Sequence, residues 1–272
     1  MKKLILLSAI LAPALSFAQL QDSAQRLVHM QGAINFRDAG GYTTSNGKHV
    51  AWGKVFRSAE ISKLTDADLQ TFNSKKIHSV IDFRGTKEAA AAPDRLPTGT
   101  PYLLCPAGSD SIPSMQQIAA LIKSQSGFLT GMYGAPSVKY YGERYKPLFQ
   151  QLLTMPDTAA LLYHCTGGRD RTGMATALFL YALDVPMQTI EADFTASNVY
   201  LKPMHDQMFA GMSKAMGLTP EQVKKEMELR PELLQSFFGA LKDSYGSVEN
   251  FMDKELGVGP KELAILKAKY TF

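Results

Sequence analysis

An unbroken apolar run over residues 159–163 (Ala-Ala-Leu-Leu-Tyr) predicts a short strand buried on both faces. Apolar residues then dominate 174–183, enough for a buried helix, so a strand and a helix flank the polar, glycine-rich stretch 164–173. A second run, Ile77-His78-Ser79-Val80-Ile81-Asp82-Phe83-Arg84, predicts another strand, this one ending in a charged pair. Over 138–153 the period becomes helical and places Tyr141, Tyr145, Leu148 and Leu152 on one face, an aromatic stripe expected to pack in the core. Thr65 stands where an N-cap belongs for a helix from Asp66, and Thr219-Pro220-Glu221-Gln222 opens another with Pro at its first helical position. From Met187 onward the pattern is one of successive helices, two of them starting at Gly246-Ser247-Val248-Glu249 and Gly259-Pro260-Lys261-Glu262. They are expected to be structural, with Asn198 and Tyr200 nearest the site. These elements predict an α/β fold, a central and mostly parallel sheet flanked by helices with a helical C-terminal part, in one domain over 19–272.

The amino-terminal pattern is different. Met1-Lys2-Lys3 precedes an apolar stretch over 4–15 and then Ser16-Phe17-Ala18, with small residues placed for cleavage. That predicts an export signal over 1–18, cut near Ala18, and a periplasmic or secreted product. The apolar stretch is short for a membrane span and no Cys follows to carry a lipid, so no stable membrane anchor is expected. The formal charge is +4, of which Lys2 and Lys3 supply two, a balance too mild to suggest nucleic acid as a partner. Only Cys105 and Cys165 occur. In an exported protein a cysteine pair invites a disulfide, so a Cys105–Cys165 bridge stays open beside the expected free Cys165.

His164-Cys165-Thr166-Gly167-Gly168-Arg169-Asp170-Arg171-Thr172-Gly173 carries the most specific chemistry. A strand, a glycine-rich turn and a helix N-terminus bring backbone N–H groups together and add the positive end of the helix dipole, which makes an anion site. A thiol held in such a cradle is drawn toward its nucleophilic thiolate. An arginine six positions on offers a planar fork for phosphoryl oxygens. The plain alternative is a buried Cys beside a helix cap.

The stretch resembles the His-Cys-x5-Arg-Ser/Thr signature of the cysteine-based protein tyrosine phosphatase superfamily. The resemblance implies Cys165 as the phosphoryl acceptor and Arg171 as the phosphate ligand, with Thr172 helping the sulfur to leave. It implies a phosphate cradle of Thr166, Gly167, Gly168, Arg169, Asp170 and Arg171, and a protein tyrosine phosphatase-like fold. The ordered motifs NFRDAGGY, VFRSAEISKLTDADL, VIDFRGTKE and HCTGGRDRTG, followed by DFTASNVYL, narrow the resemblance to the bacterial tyrosine/lipid phosphatase family. That family implies hydrolysis of phosphotyrosine, with phosphoserine/threonine or phosphoinositides as further substrates, through a phosphocysteine intermediate. Inositol polyphosphate or a lipid headgroup as substrate, and a non-catalytic phospho-ligand module, remain alternatives. Phosphorylated protein, phospholipid or inositol phosphate is thus the expected partner.

The single Trp52 is followed by Gly53, so the Trp-Pro-Asp acid loop of other tyrosine phosphatases is missing. Two carboxylates stand open as general acid: Asp170 inside the loop, the expected one, and Asp82 at the end of its strand, expected to support the site. Asp170 has the alternative of a loop brace paired with Arg37 or Arg57. His164, Arg37, Asp38, Arg57 and Arg84 are expected as supporting residues, and Arg169 as a basic group available to a second phosphate. Residues 106–136 read as an insertion with a short helix, either a shortened version of the family's lid or a surface excursion. His29, His49, His78 and His205 show no ligand spacing, and neither metal nor cofactor is expected.

Overall fold

The computed structural model describes residues 23–107, 115–124 and 128–272. The export signal, and part of the insertion expected over 106–136, lie outside the described residues. The strands are β1 (Arg37–Asp38), β2 (Val55–Ser58), β3 (Ile77–Asp82), β4 (Tyr102–Leu104) and β5 (Ala160–His164). They form one sheet in the order β1-β2-β5-β3-β4, parallel throughout except that β1 joins β2 antiparallel.

The apolar run of β5 lies at the centre with every residue buried, as an interior parallel strand requires. Its side chains alternate between two cores: Leu161 and Tyr163 enter one, Ala160 and Leu162 the other. Val55 and Phe56 of β2 divide the same way. The smaller core gathers Phe36, Ile61, Leu64, Phe72 and Ile77 around α2 (Asp66–Ser74). Helix α2 starts where expected, its Thr65 cap and Asp68 bonding each other's backbone N–H in a capping box. After α1 (Ser23–Arg26) and α2 come α3 (Thr86–Ala91), α4 (Met115–Lys123) and α5 (Phe128–Met132).

The larger core lies between the sheet and α6 (Ala135–Thr154), α7 (Arg171–Ala182), α8 (Met187–Tyr200), α11 (Pro231–Tyr245) and α13 (Pro260–Tyr270). Tyr141, Tyr145, Leu148 and Leu152 of α6 are all inside it, so the aromatic stripe is core packing. Between α8 and α11 stand α9 (Lys202–Met216) and α10 (Pro220–Met227), and α12 (Val248–Phe251) passes into a π turn, Met252–Leu256. Thr219 caps α10 with Gln222 in a second capping box. A third apolar cluster stands apart: Ile118, Ala119 and Ile122 of α4 pack on Phe209, Met212 and Met216 of α9 and Val223 of α10. The described part of the insertion therefore holds two helices, α4 and α5, and α4 rests on the C-terminal helices.

Candidate active site

The phosphate-loop motif bridges the end of β5 at His164 and the start of α7 at Arg171. His164 is paired across the sheet with Ser58 on one side and Asp82 on the other, at the carboxyl ends of three parallel strands. Open α/β sheets bind ligands at that edge. Gly168 has φ +62°, and a Cβ there would stand 2.2 Å from the Ser58 carbonyl oxygen, so only glycine fits. The loop carbonyls are held from behind. Asn35 Nδ2 donates to the oxygens of Gly167 and Gly168 at 3.0 Å each, Arg57 Nη2 donates to Gly168 O at 2.8 Å, and Glu60 N donates to Thr166 O at 3.0 Å. Carbonyls fixed outward in this way give the loop the polarity an anion cradle requires. Cys165 is buried, and Thr172 Oγ1 is buried with no hydrogen-bond partner among the described residues.

Arg171 is set by a residue that sequence reasoning did not single out. Glu88 of α3 accepts from Arg171 Nη1 at 2.7 Å and from Nη2 at 3.2 Å, and it also accepts from Thr166 Oγ1 at 2.6 Å and Gly85 N at 2.8 Å. Arg171 Nη1 further donates to Phe83 O at 3.1 Å. Burial works against the charge on Arg171, yet Cys165 and Glu88 carry its pKa above the ordinary arginine value.

Behind the loop stands a buried charge hub. Asp193 of α8 accepts from Arg57 Nη1 at 2.7 Å, Arg37 Nε at 3.3 Å and Tyr42 Oη at 2.8 Å. Arg37 passes the contact on to Asn35 Oδ1, and its Nη2 donates to Ser197 Oγ at 3.2 Å. Arg37 and Arg57 are thus placed as props for the loop. Asp38 is not at the loop: its carboxylate accepts from Gly40 N and Gly53 N at 2.8 and 2.7 Å and closes a turn. Asn198 also points elsewhere, clamping Leu229 by Nδ2 to O at 2.7 Å and N to Oδ1 at 3.0 Å, while the Tyr200 ring lies 5.0 Å from the Arg37 guanidinium carbon.

Asp170 pairs with neither Arg37 nor Arg57. Its Oδ1 accepts from Tyr133 Oη at 2.8 Å and, more weakly, from Arg169 Nη2 at 3.5 Å, while its Oδ2 lies 2.9 Å from Arg169 Nε, a contact too far off line for a hydrogen bond. The side chain remains partly open to solvent, at 21% exposure. Arg169 runs inward instead of toward a second phosphate, donating to Met227 O at 2.6 Å and to His205 Nε2 at 3.4 Å. Burial, then the Arg169 charge, hold His205 down at about 4, so it is neutral at pH 7.

Asp82 is fully buried and fully engaged. It accepts from Arg84 Nε at 2.9 Å, Arg84 Nη2 at 2.8 Å and Tyr102 Oη at 2.9 Å. Burial opposes its ionisation, but His164 and Arg84 hold its pKa below the usual aspartate value. Arg84 Nη2 reaches Asp94 at 2.7 Å, and Asp94 meets His164 Nε2 at 2.8 Å, while His164 Nδ1 faces the Cys165 carbonyl at 3.3 Å. Asp82, Asp94 and His164 come close enough to share a cation, but the Arg84 guanidinium already lies against both carboxylates. Both cysteines are free thiols. Leu104 and His164 flank Asp82 in the register, so Cys105 and Cys165 follow strands two places apart, roughly 9–10 Å, beyond the reach of a disulfide.

Five contributors to the site were thus not picked out from sequence: Asn35, Glu88, Asp94, Tyr133 and Asp193. Asn35, Glu88 and Asp193 lie inside the quoted motifs NFRDAGGY, VIDFRGTKE and DFTASNVYL, which was the available signal. Asp94 and Tyr133 carried none.

Residues 28–272 match the profile of the tyrosine phosphatase family. A putative tyrosine-protein phosphatase of Cupriavidus necator is 28% identical over 234 residues, 84% of either chain. The triple specificity protein phosphatase PtpB of Mycobacterium tuberculosis is 28% identical over 228 residues, 75% of this chain and 78% of that one. A tyrosine-protein phosphatase of Nostoc commune is 27% identical over 227 residues, 78% and 72% of the two chains. Among solved structures, P. aeruginosa TpbA in complex with pTyr aligns with 66% of this chain and 89% of that one, at 14% identity and a TM-score of 0.34. With its family profile spanning nearly the whole described chain, the protein belongs to the tyrosine phosphatase family and is a phosphoric monoester hydrolase of the protein tyrosine phosphatase type.

Proposed function

We propose an exported phosphatase that hydrolyses phosphate monoesters, phosphotyrosine first, through a phosphocysteine intermediate. The observation that carries this reading is the loop itself: Cys165 and Arg171 bracket a strapped, glycine-turned cradle at a helix N-terminus. The Cys165 thiolate attacks phosphorus and forms an S–P bond while the ester P–O bond breaks. The departing oxygen takes the proton of the Asp170 carboxyl group. Water then attacks phosphorus, its proton passes to the Asp170 carboxylate, and the S–P bond breaks to restore the thiolate and release inorganic phosphate. Thr172 Oγ1, buried without a partner, is a hydroxyl held in reserve for the leaving sulfur. Asp82 has no such freedom, since Arg84 N and Nε donate to its Oδ1 and Arg84 and Tyr102 donate to its Oδ2, which favours Asp170 as the acid.

Export rests on the amino-terminal pattern of residues 1–18. The triple specificity for which the mycobacterial relative is named supports testing several ester classes. A second phosphate contact finds no support in Arg169, whose fork is committed to Met227 and His205. The test is hydrolysis of phosphotyrosine peptide, phosphoserine peptide, a phosphoinositide and inositol hexakisphosphate by the chain from residue 19, in reducing buffer with chelator. Chelator-resistant release of phosphate, fastest from phosphotyrosine, is expected. Chelator-sensitive release, or phosphate binding with no turnover of any ester, overturns the reading.

The pairing of Glu88 with Arg171 adds an expectation. Glu88→Gln keeps the shape but removes the charge that orients the fork, so kcat/KM for phosphotyrosine peptide should fall roughly tenfold, the ~1.4 kcal/mol of one charge-assisted hydrogen bond. Steady-state kinetics beside an unchanged circular dichroism spectrum checks it.

A further inference from the structure

Tyr133 is a buried group that no motif singled out and that touches the reacting machinery through one atom. It stands between α5 and α6, with no exposure at all, and its ring meets Phe194 of α8 edge to face at 5.8 Å. Tyr141 Oη donates to the carbonyl of neighbouring Met132 at 3.3 Å, fixing the turn that carries it. Burial, then the Asp170 charge, push the Tyr133 phenol well above its ordinary pKa, so it keeps its proton. Its Oη therefore has one role at Asp170, donating at 2.8 Å to Oδ1. Arg169 Nη2 also reaches that oxygen, at a long 3.5 Å, and among the described residues the other oxygen has the ion pair with Arg169 Nε, whose line is poor for a hydrogen bond.

We infer that Tyr133 is a positioning residue for proton transfer, fixing the Asp170 carboxyl group and stabilising the carboxylate that forms as the proton leaves. The inference rests on the reading of Asp170 as the acid. A phenol donating to a carboxylate makes a stronger bond than one donating to the neutral acid. The Tyr133 contact thus strengthens along the reaction coordinate, which is the condition for lowering a barrier instead of merely holding the ground state. The benefit is confined to esters whose leaving oxygen needs a proton. It fades for a leaving group stable as an anion.

The experiment measures kcat and KM for p-nitrophenyl phosphate, phenyl phosphate and a phosphoserine peptide with wild type, Tyr133→Phe and Asp170→Asn, with thermal unfolding alongside. Tyr133→Phe is expected to slow the phosphoserine peptide and phenyl phosphate about tenfold, the worth of one hydrogen bond to a charged group, and p-nitrophenyl phosphate at most two- to threefold, with KM little changed. Asp170→Asn is expected to show the same dependence on leaving group more steeply. A uniform loss across the three esters with Tyr133→Phe, or no loss, overturns the inference if Asp170→Asn discriminates among them. A uniform effect of Asp170→Asn overturns the acid assignment and the role of Tyr133 with it. Should the Phe variant fail to fold, fluorotyrosine at position 133 keeps the ring and strengthens the donor. The dependence must then become shallower, and an unchanged or steeper one counts against the inference.

Discussion

Cys165→Ser is expected to lower turnover of phosphotyrosine peptide by about 10⁴-fold or more while the protein still binds tungstate within a few-fold of wild type. The asymmetry follows from what each part of the site contributes. In the proposed scheme anion binding comes from the loop, the N-terminus of α7 and Arg171, none of which the substitution alters. Bond making in that scheme comes from the sulfur, because a serine hydroxyl does not ionise near neutral pH and the scheme places no base beside it. Cys105→Ser is the matching control. That thiol sits beyond β4, two strands from the one that leads into the loop, and burial and then the Asp82 charge push it up to about 11, so it is not ionised near neutral pH. It should leave turnover within about twofold. Phosphate release from the Cys165→Ser protein at wild-type rate would remove the phosphocysteine scheme, and titration calorimetry with tungstate reports whether the cradle survived.

How much of this was legible in the sequence divides along chain distance. The strand, loop and helix of the phosphate motif are contiguous, and the apolar runs on either side of 164–173 were sufficient to place them. The caps at Thr65 and Thr219 were equally local, three residues from their partners. The two strands at the β1 edge of the sheet were not legible. Arg37–Asp38 and Val55–Ser58 are buried strands built partly from charged residues, and the hydrophobic period has nothing to register there. They are tolerated inside because Asp193, some 136 to 156 residues away, neutralises both arginines. Glu88 and Tyr133 illustrate the same limit at the site. Each residue was visible, but its bond to Arg171 or Asp170 exists only once the chain is folded. The proposed pairing of Asp170 with Arg37 or Arg57 was reasonable by charge and is not made, since Asp193 already holds those two forks.

Asp193→Asn should destabilise the protein by about 3–5 kcal/mol, the cost of leaving buried charge unpaired. At the slope expected for a chain of this size, that is a fall in Tm on the order of 10 °C. Arg37 and Arg57 are both fully buried, and the Asn side chain offers neither a negative charge nor two acceptors. The pH dependence has a definite sign. Burial opposes ionisation of Asp193, but Arg37 and Arg57 overcome it and hold its pKa far below the usual aspartate value. A carboxylate depressed in the folded state contributes its stability fully above its unfolded pKa of about 4 and loses it as pH falls below that toward the folded value. The difference in Tm between wild type and Asp193→Asn is therefore expected to be constant from pH 7 to about 5 and to shrink on further acidification. Function should suffer as well. Asp193 orients Arg57, which holds the Gly168 carbonyl, and orients Arg37, which holds Asn35 and through it both glycine carbonyls. A loop released by even a fraction of an ångström loses affinity for the phosphoryl group, so KM for phosphotyrosine peptide should rise more than kcat falls. Differential scanning fluorimetry across pH 3–7, with kinetics well below the lowered Tm, tests both halves. An unchanged Tm would show that the two arginines are neutralised elsewhere, and a lowered Tm with unaltered KM would separate the hub's packing role from any hold on the loop.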